Sequence, residues 1–358
     1  MKCASGKHSP IEMSEFTPVD GKTGVTVCIA NWNGGRWLGD CLLSVRDFGV
    51  PGTQIIVVDN ASSDNSVSIV REGFPEVELV ANRENAGYAR ANNQAILRGR
   101  GRYFFILNND TVLDANTLTT LLRFMDEHPR AGTASGHLVN PDGSTQFSYY
   151  PVALPSATSM VADLLWLNRL SPRNRLGRGE LARHFDPGKP GRMEQIPGAC
   201  MFVRREALEK VGLFDEGYRF WYEDVDLCAR FLKGGWEIWY LPDAKILHQG
   251  GAATRLLPIS TRSLFRFRSM LRYAQHYFTP GRFLLLRAIA GLVLLIRMPI
   301  VVAMSLWPSA RVRSLWKETW KVYFRLLGEI VHASNRRASP SHPRGTHNAG
   351  ETQNPARQ

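Results

Sequence analysis

The stretch FFILNNDT, residues 104–111, decides the fold prediction, because four apolar residues run directly into three polar ones. Residues 104–107 have the composition of a buried strand, and Asn108, Asn109 and Asp110 then stand at its carboxyl end. In open α/β sheets, ligands bind beyond the carboxyl ends of the strands. The three polar residues are therefore candidates for a binding site.

Earlier apolar runs follow the same pattern. Each is rich in β-forming residues and ends in polar or small ones: VTVCIA (25–30), QIIVVD (54–59), VELVA (77–81) and RYFFIL (102–107). The segments between them, such as WLGDCLLSVRDFG and SDNSVSIVREGF, have apolar residues at helical spacing. Strands alternating with helices predict an α/β fold with a mostly parallel central sheet flanked by helices.

Polar residues follow each predicted strand, and we expect these strand-end clusters to converge on one site. They are Asn31 to Asn33, Asp59 and Asn60, residues 82–93, and Asn108 to Asp110. Asn60 and the serines that follow it could also merely form a turn.

Two common nucleotide-binding loops are absent from the sequence. A dinucleotide-binding Rossmann domain needs G-x-G-x-x-G at its first turn, whereas this turn reads NWNGGRW (31–37). No G-x-x-x-x-G-K-[ST] motif occurs either. The five cysteines form no C-x-x-C pair, which argues against a zinc site or a disulfide framework and predicts buried thiols.

The net charge of +12 is concentrated near the C-terminal end. Residues 255–325 contain thirteen Lys or Arg and one acid, and residues 283–307 are apolar except for Arg287, Arg297, one serine and a break at Pro299. Basic residues interleaved with an apolar run favour an anionic membrane surface over nucleic acid. An interfacial or half-inserted helical hairpin, a spanning helix and a buried helix all remain open for this segment.

These observations predict four parts of the chain. A flexible leader (1–22) has no apolar run of the length that a secretory signal needs, so we expect a cytoplasmic protein at the inner face of the cell membrane. An α/β domain (23–255), a basic and apolar helical membrane-associating region (256–333) and a disordered tail (334–358) follow.

Asp110 and the distant His248 are oxygen and nitrogen ligands suited to Mg²⁺ or Mn²⁺. A divalent metal would neutralise the negative charge that develops on a diphosphate leaving group. The sequence thus favours a diphosphate-containing substrate. A lone histidine after a strand is also often structural.

Several ordered blocks resemble family 2 glycosyltransferases with the GT-A fold, a Rossmann-like architecture, and within them the rhamnosyltransferase-like branch. The blocks are VTVCIANWNGGRWL, IIVVDNASSDNS, NRENAGYARANNQAI, FFILNNDT, PGACMFVRREALEKVGLFDEGYRFWYEDVDLCAR and HQGG, across residues 24–255. The resemblance implies an inverting enzyme that moves a sugar, most simply L-rhamnose from dTDP-rhamnose, onto a lipid-linked or polysaccharide acceptor of the cell surface. Galactofuranose, glucose or a hexosamine are alternative donor sugars.

The resemblance also implies roles for single residues. Asp59 would bind the pyrimidine base of the nucleotide sugar, helped by Asn31 and Asn33, and Asp224 would be the catalytic base. The residues that would line the diphosphate and the donor sugar are Asn85, Gly87, Arg90, Asn92 and Asn108, and those that would bind the metal are Asp110 and His248.

One position departs from the family pattern. The first aspartate of the family's D-x-D motif is Asn108 here, so a single carboxylate would reach the metal. Near the base, Asp226 is expected to point elsewhere, and Glu223 could orient an acceptor hydroxyl or cap the helix. Trp221 and Tyr222 could stack on a sugar or only pack. A membrane-surface binder that keeps the fold without catalysis is the rival hypothesis.

Overall fold

The computed structural model describes residues 16–17, 24–149, 153–165, 167, 185–251, 256–305 and 322–330. The predicted tail and nearly all of the predicted leader lie outside the described residues.

The first half of the sheet is parallel, as predicted. Its strands are β1 (Val25–Asn31), β2 (Gln54–Asp59), β3 (Glu78–Ala81) and β4 (Tyr103–Asn108). They lie in the order β3-β2-β1-β4, and each neighbouring pair is parallel. The connections contain α1 (Gly35–Phe48), α2 (Ser66–Gly73) and α3 (Tyr88–Arg98).

The second half of the sheet is mixed. It contains β5 (Thr111–Leu113), β6 (Ala131–Val139), β7 (Gly191–Met193), β8 (Cys200–Arg204) and β9 (Glu237–His248). β8 runs antiparallel to both β4 and β6, whereas β6 and β9 are parallel. β5 and β7 are short antiparallel partners of β9. The sequence predicted β8 and the first part of β9, and it did not predict β5, β6 or β7.

The remaining described helices surround this sheet and continue past it. They are α4 (Thr117–Glu127), α5 (Ala157–Leu164), α6 (Arg205–Val211), α7 (Glu223–Lys233), α8 (Ile259–Tyr277) and α9 (Pro280–Ser305), followed by a helical segment at 322–330.

The central strands are buried on both faces, which explains why they read as continuous apolar runs. Val27, Cys28 and Ile29, on alternating faces of β1, are all fully buried. Cys28, Cys41, Cys200 and Cys228 are free and buried, as predicted; Cys3 lies outside the described residues. Burial raises the pKa of the Cys200 thiol to about 11, so it stays protonated and unreactive.

A second apolar core joins the C-terminal helices to the catalytic part of the chain. It contains Tyr218 and Val225 from the region around α7, Phe267 from α8, Leu286 from α9 and Leu326 from the last helical segment. Helices α8 and α9 and the 322–330 segment are therefore packed against α7, and not tethered at a distance from it.

Helix α9 turns Arg287 and Arg297 inward, whereas its third arginine, Arg282, and several leucines are exposed. Arg297 donates to the Leu164 carbonyl at 2.7 Å, and Arg287 donates to the Ile330 carbonyl. The opposite face is an apolar stripe at helical spacing, in which each side chain is 57–63% exposed: Leu284, Leu285, Leu292, Leu295 and Ile296. Of the helices in the described ranges, none combines the length and apolarity that crossing a bilayer requires.

Candidate active site

The polar residues at the ends of β1 and β2 form one hydrogen-bonded cluster. Asn31 Nδ2 donates to Asp59 Oδ2 at 2.8 Å, and both side chains are buried. Ser62 donates to the same carboxylate twice, from its backbone N–H at 2.9 Å and from its hydroxyl at 2.6 Å. An ionised carboxylate has about four acceptor positions. Asp59 can therefore accept one further hydrogen bond from a ligand.

Asn33 and Asn109 extend this cluster. Asn33, in the left-handed region at φ 50°, accepts from the backbone N–H of Ser63 at 2.8 Å. Asn109 Nδ2 donates to Asn31 Oδ1 at 2.6 Å, which joins the end of β4 to the end of β1. A Cβ at Gly34 would lie 2.0 Å from Asn109 Nδ2. The close approach of these strand ends therefore requires glycine at this position.

The loop after β3 is held against the end of β2. Asn60 Nδ2 donates to the Gly87 carbonyl at 3.2 Å, and the Gly87 N–H donates to Asn85 Oδ1 at 3.0 Å. Gly87 has a φ of 91°, a conformation that favours glycine. The polar residues after the four strands thus lie together, which confirms the prediction that they converge.

Two residues predicted for this loop have different surroundings. Arg90 is largely exposed and lies 3.9 Å from Glu216. Asn92 is fully buried, and its Nδ2 donates to the Tyr88 carbonyl at 3.0 Å. Asn92 Oδ1 has no hydrogen-bond partner among the described residues. Solvent therefore reaches Arg90, whereas Asn92 stabilises the first turn of α3.

Asp110 and His248 lie side by side. The Nε2 atom of His248 is 3.2 Å from Asp110 Oδ1 and 3.4 Å from Asn108 Nδ2. Pairing of β5 with β9 produces this contact, because it places Thr111 opposite His248. His248 is fully buried and Asp110 almost so.

Gln146 determines which ring nitrogen of His248 carries the proton, and sequence reasoning missed it. His248 Nδ1 donates to Gln146 Oε1 at 2.9 Å, and Gln146 Nε2 donates to the His248 carbonyl. A neutral imidazole ring then has its lone pair on Nε2, the atom that faces Asp110. Gln146 lies in a stretch whose sequence indicates irregular structure, so no periodicity pointed to it.

The first turn of α7 carries two adjacent carboxyl groups that have different hydrogen-bond partners. Asp224 Oδ2 accepts from the Gly198 N–H and Oδ1 from the Val225 N–H, both at 2.8 Å. Burial raises the Asp224 pKa, although these backbone donors oppose the rise. Burial and then the Asp224 charge hold the Glu223 pKa well above its usual range, and Glu223 Oε2 has no partner among the described residues. The backbone donors favour the ionised form of Asp224, whereas burial and the neighbouring charge favour the protonated form of Glu223.

Gly198 and Tyr88 position Asp224, and neither was singled out from the sequence. The Tyr88 hydroxyl donates to the Gly198 carbonyl at 2.6 Å, while the Gly198 N–H donates to Asp224. A Cβ at residue 198 would lie 3.4 Å from Asp224 Oδ2 and 3.5 Å from the Tyr88 hydroxyl, which leaves little room beside them. The PGAC block (197–200) thus carries a structural link between α3 and α7.

The loop before α7 is strained and is held by α8. Trp221 and Tyr222 have φ values of 64° and 70°, which cost non-glycine residues free energy. The Ser269 hydroxyl donates to the Phe220 carbonyl at 2.9 Å, and Tyr222 packs against Tyr273 with ring centroids 5.6 Å apart. Tyr222 is thus a packing residue in this structure. Helix α8 stabilises a loop conformation that the chain would not adopt alone.

Another acidic group lies at the far side of α7. Asp215, Asp226 and His276 have ligand atoms within 4.8 Å of one another. Arg272 binds Asp215 through two hydrogen bonds of 2.9 Å, and Arg230 binds Asp226 at 2.8 Å. These guanidinium groups already neutralise both carboxylates, so the group is a salt-bridge network. Asp226 points away from Asp224, as predicted.

Comparison with known proteins agrees with this geometry. The family "Glycosyl transferase family 2" matches residues 26–212, more than half of the chain, and "Glycosyl transferase family group 2" matches residues 182–328. The second match includes α7 and both C-terminal helices.

Individual relatives include a rhamnosyltransferase and a poly-N-acetyl-D-glucosamine synthase. An N-acetylglucosaminyl-diphospho-decaprenol L-rhamnosyltransferase of Mycobacterium tuberculosis is 29% identical over 219 residues, which are 58% of this chain and 69% of the relative. A poly-beta-1,6-N-acetyl-D-glucosamine synthase of Staphylococcus epidermidis is 24% identical over 258 residues, 70% of this chain. The chain spans only 54% of that synthase.

The fold has a solved counterpart. The mannosyltransferase PcManGT from Pyrobaculum calidifontis, solved with GDP-Man and Mn²⁺, superposes with a TM-score of 0.50 at 17% identity, covering 88% of this chain and 89% of the other. The mixed α/β sheet that the two proteins share is that of the GT-A fold. Because the family 2 model matches residues 26–212, more than half of the sequence, this chain belongs to glycosyltransferase family 2.

Proposed function

We propose that the protein transfers a sugar from a nucleotide diphosphate donor to a hydroxyl group of a lipid-linked or polysaccharide acceptor, with inversion at the anomeric carbon. The observation that carries this proposal is the Asp224 carboxylate at the start of α7, which accepts hydrogen bonds from the backbone N–H groups of Gly198 and Val225 beside the buried Glu223. An inverting transfer needs one such base on the face opposite the leaving diphosphate.

The strand-end cluster would hold the donor. Asp59 has one acceptor position left for a pyrimidine base, with Asn31 and Asn33 beside it. The residues that would contact the diphosphate and donor sugar are Asn85, Gly87, Arg90 and Asn108. Asn92 would contribute indirectly, by holding the start of α3.

Asp110 and His248 fit a divalent metal ion. Two ligands about 2.1 Å from one octahedral ion lie about 3 Å apart, and Asp110 Oδ1 and His248 Nε2 are 3.2 Å apart. The ring lone pair faces the same point. Mg²⁺ or Mn²⁺ bound there would neutralise negative charge on the departing nucleoside diphosphate.

The reaction at Asp224 is then a single displacement. The acceptor oxygen forms a bond to the anomeric carbon as the bond from that carbon to the diphosphate oxygen breaks. The acceptor proton passes to Asp224, whose ionised form the N–H groups of Gly198 and Val225 stabilise. Burial favours the protonated form of Glu223, which would donate a hydrogen bond and leave the role of base to Asp224.

L-Rhamnose from dTDP-rhamnose is the proposed donor, by analogy with the M. tuberculosis rhamnosyltransferase. The name of that relative contains a diphospho-decaprenol. By analogy, we propose a polyprenyl diphosphate-linked acceptor for this chain. The exposed apolar stripe of α9 supports binding of the protein to the cytoplasmic side of an anionic membrane, where such an acceptor would lie.

Thermal stabilisation by a panel of dTDP-, UDP- and GDP-sugars, with and without Mn²⁺, tests the proposal. A donor at a hundred times its dissociation constant adds about 2.7 kcal/mol to the free energy of unfolding. We expect dTDP-rhamnose to stabilise the wild type and Asp224→Asn, and not Asp59→Ala. Stabilisation by a different donor would replace rhamnose, and stabilisation by none would remove support for a nucleotide-sugar transferase.

A further inference from the structure

A groove opens beside the strained loop, separate from the strand-end cluster. It is a cavity of about 360 Å³ lined by Gly217, Arg219, Phe265, Arg268 and Ser269, and is named the arginine groove below. One wall belongs to the loop before α7 and the other to α8. None of the roles assigned above uses this groove.

The two arginines make the groove basic. Arg219 is exposed, and no carboxylate within the described part of the chain lies at salt-bridge distance from it. Arg268 pairs with Glu329 at 2.6 Å and remains 45% exposed. One acid therefore faces two guanidinium groups, which leaves a positive charge for an anionic ligand.

The groove lies close to the reaction centre. The Arg219 carbonyl is 3.5 Å from where a Gly87 Cβ would be, so the loop touches the turn that precedes α3. Ser269, on the groove wall, donates to the Phe220 carbonyl at 2.9 Å. Asp224 is four positions after Phe220, at most about 14 Å away along an extended chain. A ligand in the groove could thus place a hydroxyl near Asp224.

The groove also lies near the apolar stripe of α9. Glu329 contacts Arg268 in the groove, and the side chain of the adjacent Ile330 lies 3.9 Å from where a Cβ on Gly291 of α9 would be. Gly291 is seven residues after Leu284 and four before Leu295, so it lies on the helical row at the edge of the stripe. An apolar chain that leaves the groove therefore has an exposed leucine surface within reach.

We infer that the arginine groove binds the diphosphate of a polyprenyl diphosphate-linked acceptor, whose prenyl chain lies along the apolar stripe of α9. This inference rests on the proposed function. Arg219 and Arg268 donate paired hydrogen bonds to the phosphate oxygens, a geometry for which the planar guanidinium is suited. The sugar attached to that diphosphate then extends toward Asp224.

Calorimetric titration of the full-length protein with farnesyl diphosphate, in EDTA, tests the groove without requiring the acceptor sugar. We expect Arg219→Gln and Arg268→Gln each to raise the dissociation constant about tenfold, as loss of a charged hydrogen bond predicts. Inorganic diphosphate and farnesol should each bind more weakly than farnesyl diphosphate. Of these two control ligands, only inorganic diphosphate should bind more weakly to the two variants than to the wild type.

Three control variants separate the alternatives. Glu329→Gln removes the partner of Arg268 and should leave farnesyl diphosphate binding unchanged or tighter. If the Arg268–Glu329 pair only stabilised the fold, Glu329→Gln would instead weaken binding as Arg268→Gln does. Arg71→Gln, on the exposed side of α2, should have no effect. Asp59→Ala should abolish thermal stabilisation by the donor and leave farnesyl diphosphate binding unchanged. A failure of the donor proposal can therefore be told apart from a failure of the groove inference.

Two results would overturn the inference. One is farnesyl diphosphate binding that neither arginine substitution weakens. The other is inorganic diphosphate binding as tightly as farnesyl diphosphate, which would make the groove a simple anion site without a lipid ligand.

Discussion

His248 Nε2 lies 3.2 Å from Asp110 Oδ1, although one residue ends β9 and the other follows β4. The contact exists because the short strand β5 turns back and pairs with β9. Gln146 then fixes the ring so that its lone pair faces the carboxylate. Two potential metal ligands are thereby held together before any ion binds.

Gln146→Leu is expected to weaken metal binding. Without the acceptor at Nδ1, the His248 ring loses its fixed orientation, and loss of such an outer partner typically costs 10- to 100-fold in metal affinity or activity. Titration of Mn²⁺ against donor binding measures the effect. Asp110→Asn is the positive control, and a Gln146→Leu protein with wild-type Mn²⁺ affinity would contradict the assigned role of Gln146.

Asp224→Asn and Glu223→Gln should differ sharply in activity. Asp224 is the proposed base, so its amide variant should lower kcat by about 10²- to 10⁴-fold with donor binding intact. Burial and the Asp224 charge favour the protonated form of Glu223, and glutamine has nearly the shape and hydrogen-bonding capacity of that form. Initial rates at saturating donor measure both. Equal losses would show that the two carboxyls act as one unit.

Glu223→Gln should also raise stability in a pH-dependent way. The Glu223 pKa is well above its usual 4.5 in the folded protein, so unfolding at neutral pH releases a proton. The wild type therefore loses stability as pH rises above 4.5 toward the folded pKa, and glutamine removes that loss. Melting temperatures from about pH 5 to about pH 8 should show a gap in favour of the variant that widens with pH. A constant gap would argue against a protonated Glu223.

Tyr277→Phe should loosen the start of α7. The Tyr277 hydroxyl donates to Asp226 Oδ1 at 2.8 Å, and loss of a hydrogen bond to a charged group costs about 1.5–3 kcal/mol. Urea unfolding followed by tryptophan fluorescence measures the change. Tyr323→Phe, on the adjacent helical segment, is the matched control and should change stability by less than about 0.5 kcal/mol. Similar losses of stability in both variants would show that the loss in Tyr277→Phe does not come from its hydrogen bond to Asp226.

Substitutions on the apolar stripe should release the protein from membranes. Leu285, Leu292 and Ile296 are 57–63% exposed, and each buried leucine or isoleucine side chain is worth about 1.5–3 kcal/mol. The triple glutamate variant should bind anionic phospholipid vesicles at least about tenfold more weakly in a sedimentation assay. Leu43→Glu, at a leucine of α1 that is 40% exposed, provides the control. Unchanged binding of the triple variant would place the membrane contact elsewhere.

The local patterns in the sequence were sufficient for the parallel half of the sheet. Apolar runs followed by polar residues predicted β1 to β4 and the convergence of their ends, because a parallel strand places its carboxyl end at the ligand-binding edge. The same patterns predicted the buried thiols and the apolar character of α9. These features depend on residues that are near one another in the chain.

The mixed half of the sheet depended on contacts that no local pattern encodes. β5 and β7 are three residues long, too short for a periodicity to be visible. Gln146, Tyr88 and Gly198 act through partners distant in sequence. The sequence could not identify them, because their roles arise from which strands pair and not from the residues beside them.

The sequence by itself determined the family, the strand-end residues and the basic, apolar character of the C-terminal helices. Only the tertiary structure distinguished the surroundings of Glu223 and Asp224, because burial raises both pKa values while the backbone donor brought by Gly198 opposes the rise at Asp224 alone. It also decided that Arg287 and Arg297 face inward and leave α9 an uncharged apolar stripe. Charge state and exposure are properties of the packed surroundings, and these exist only once the chain has folded.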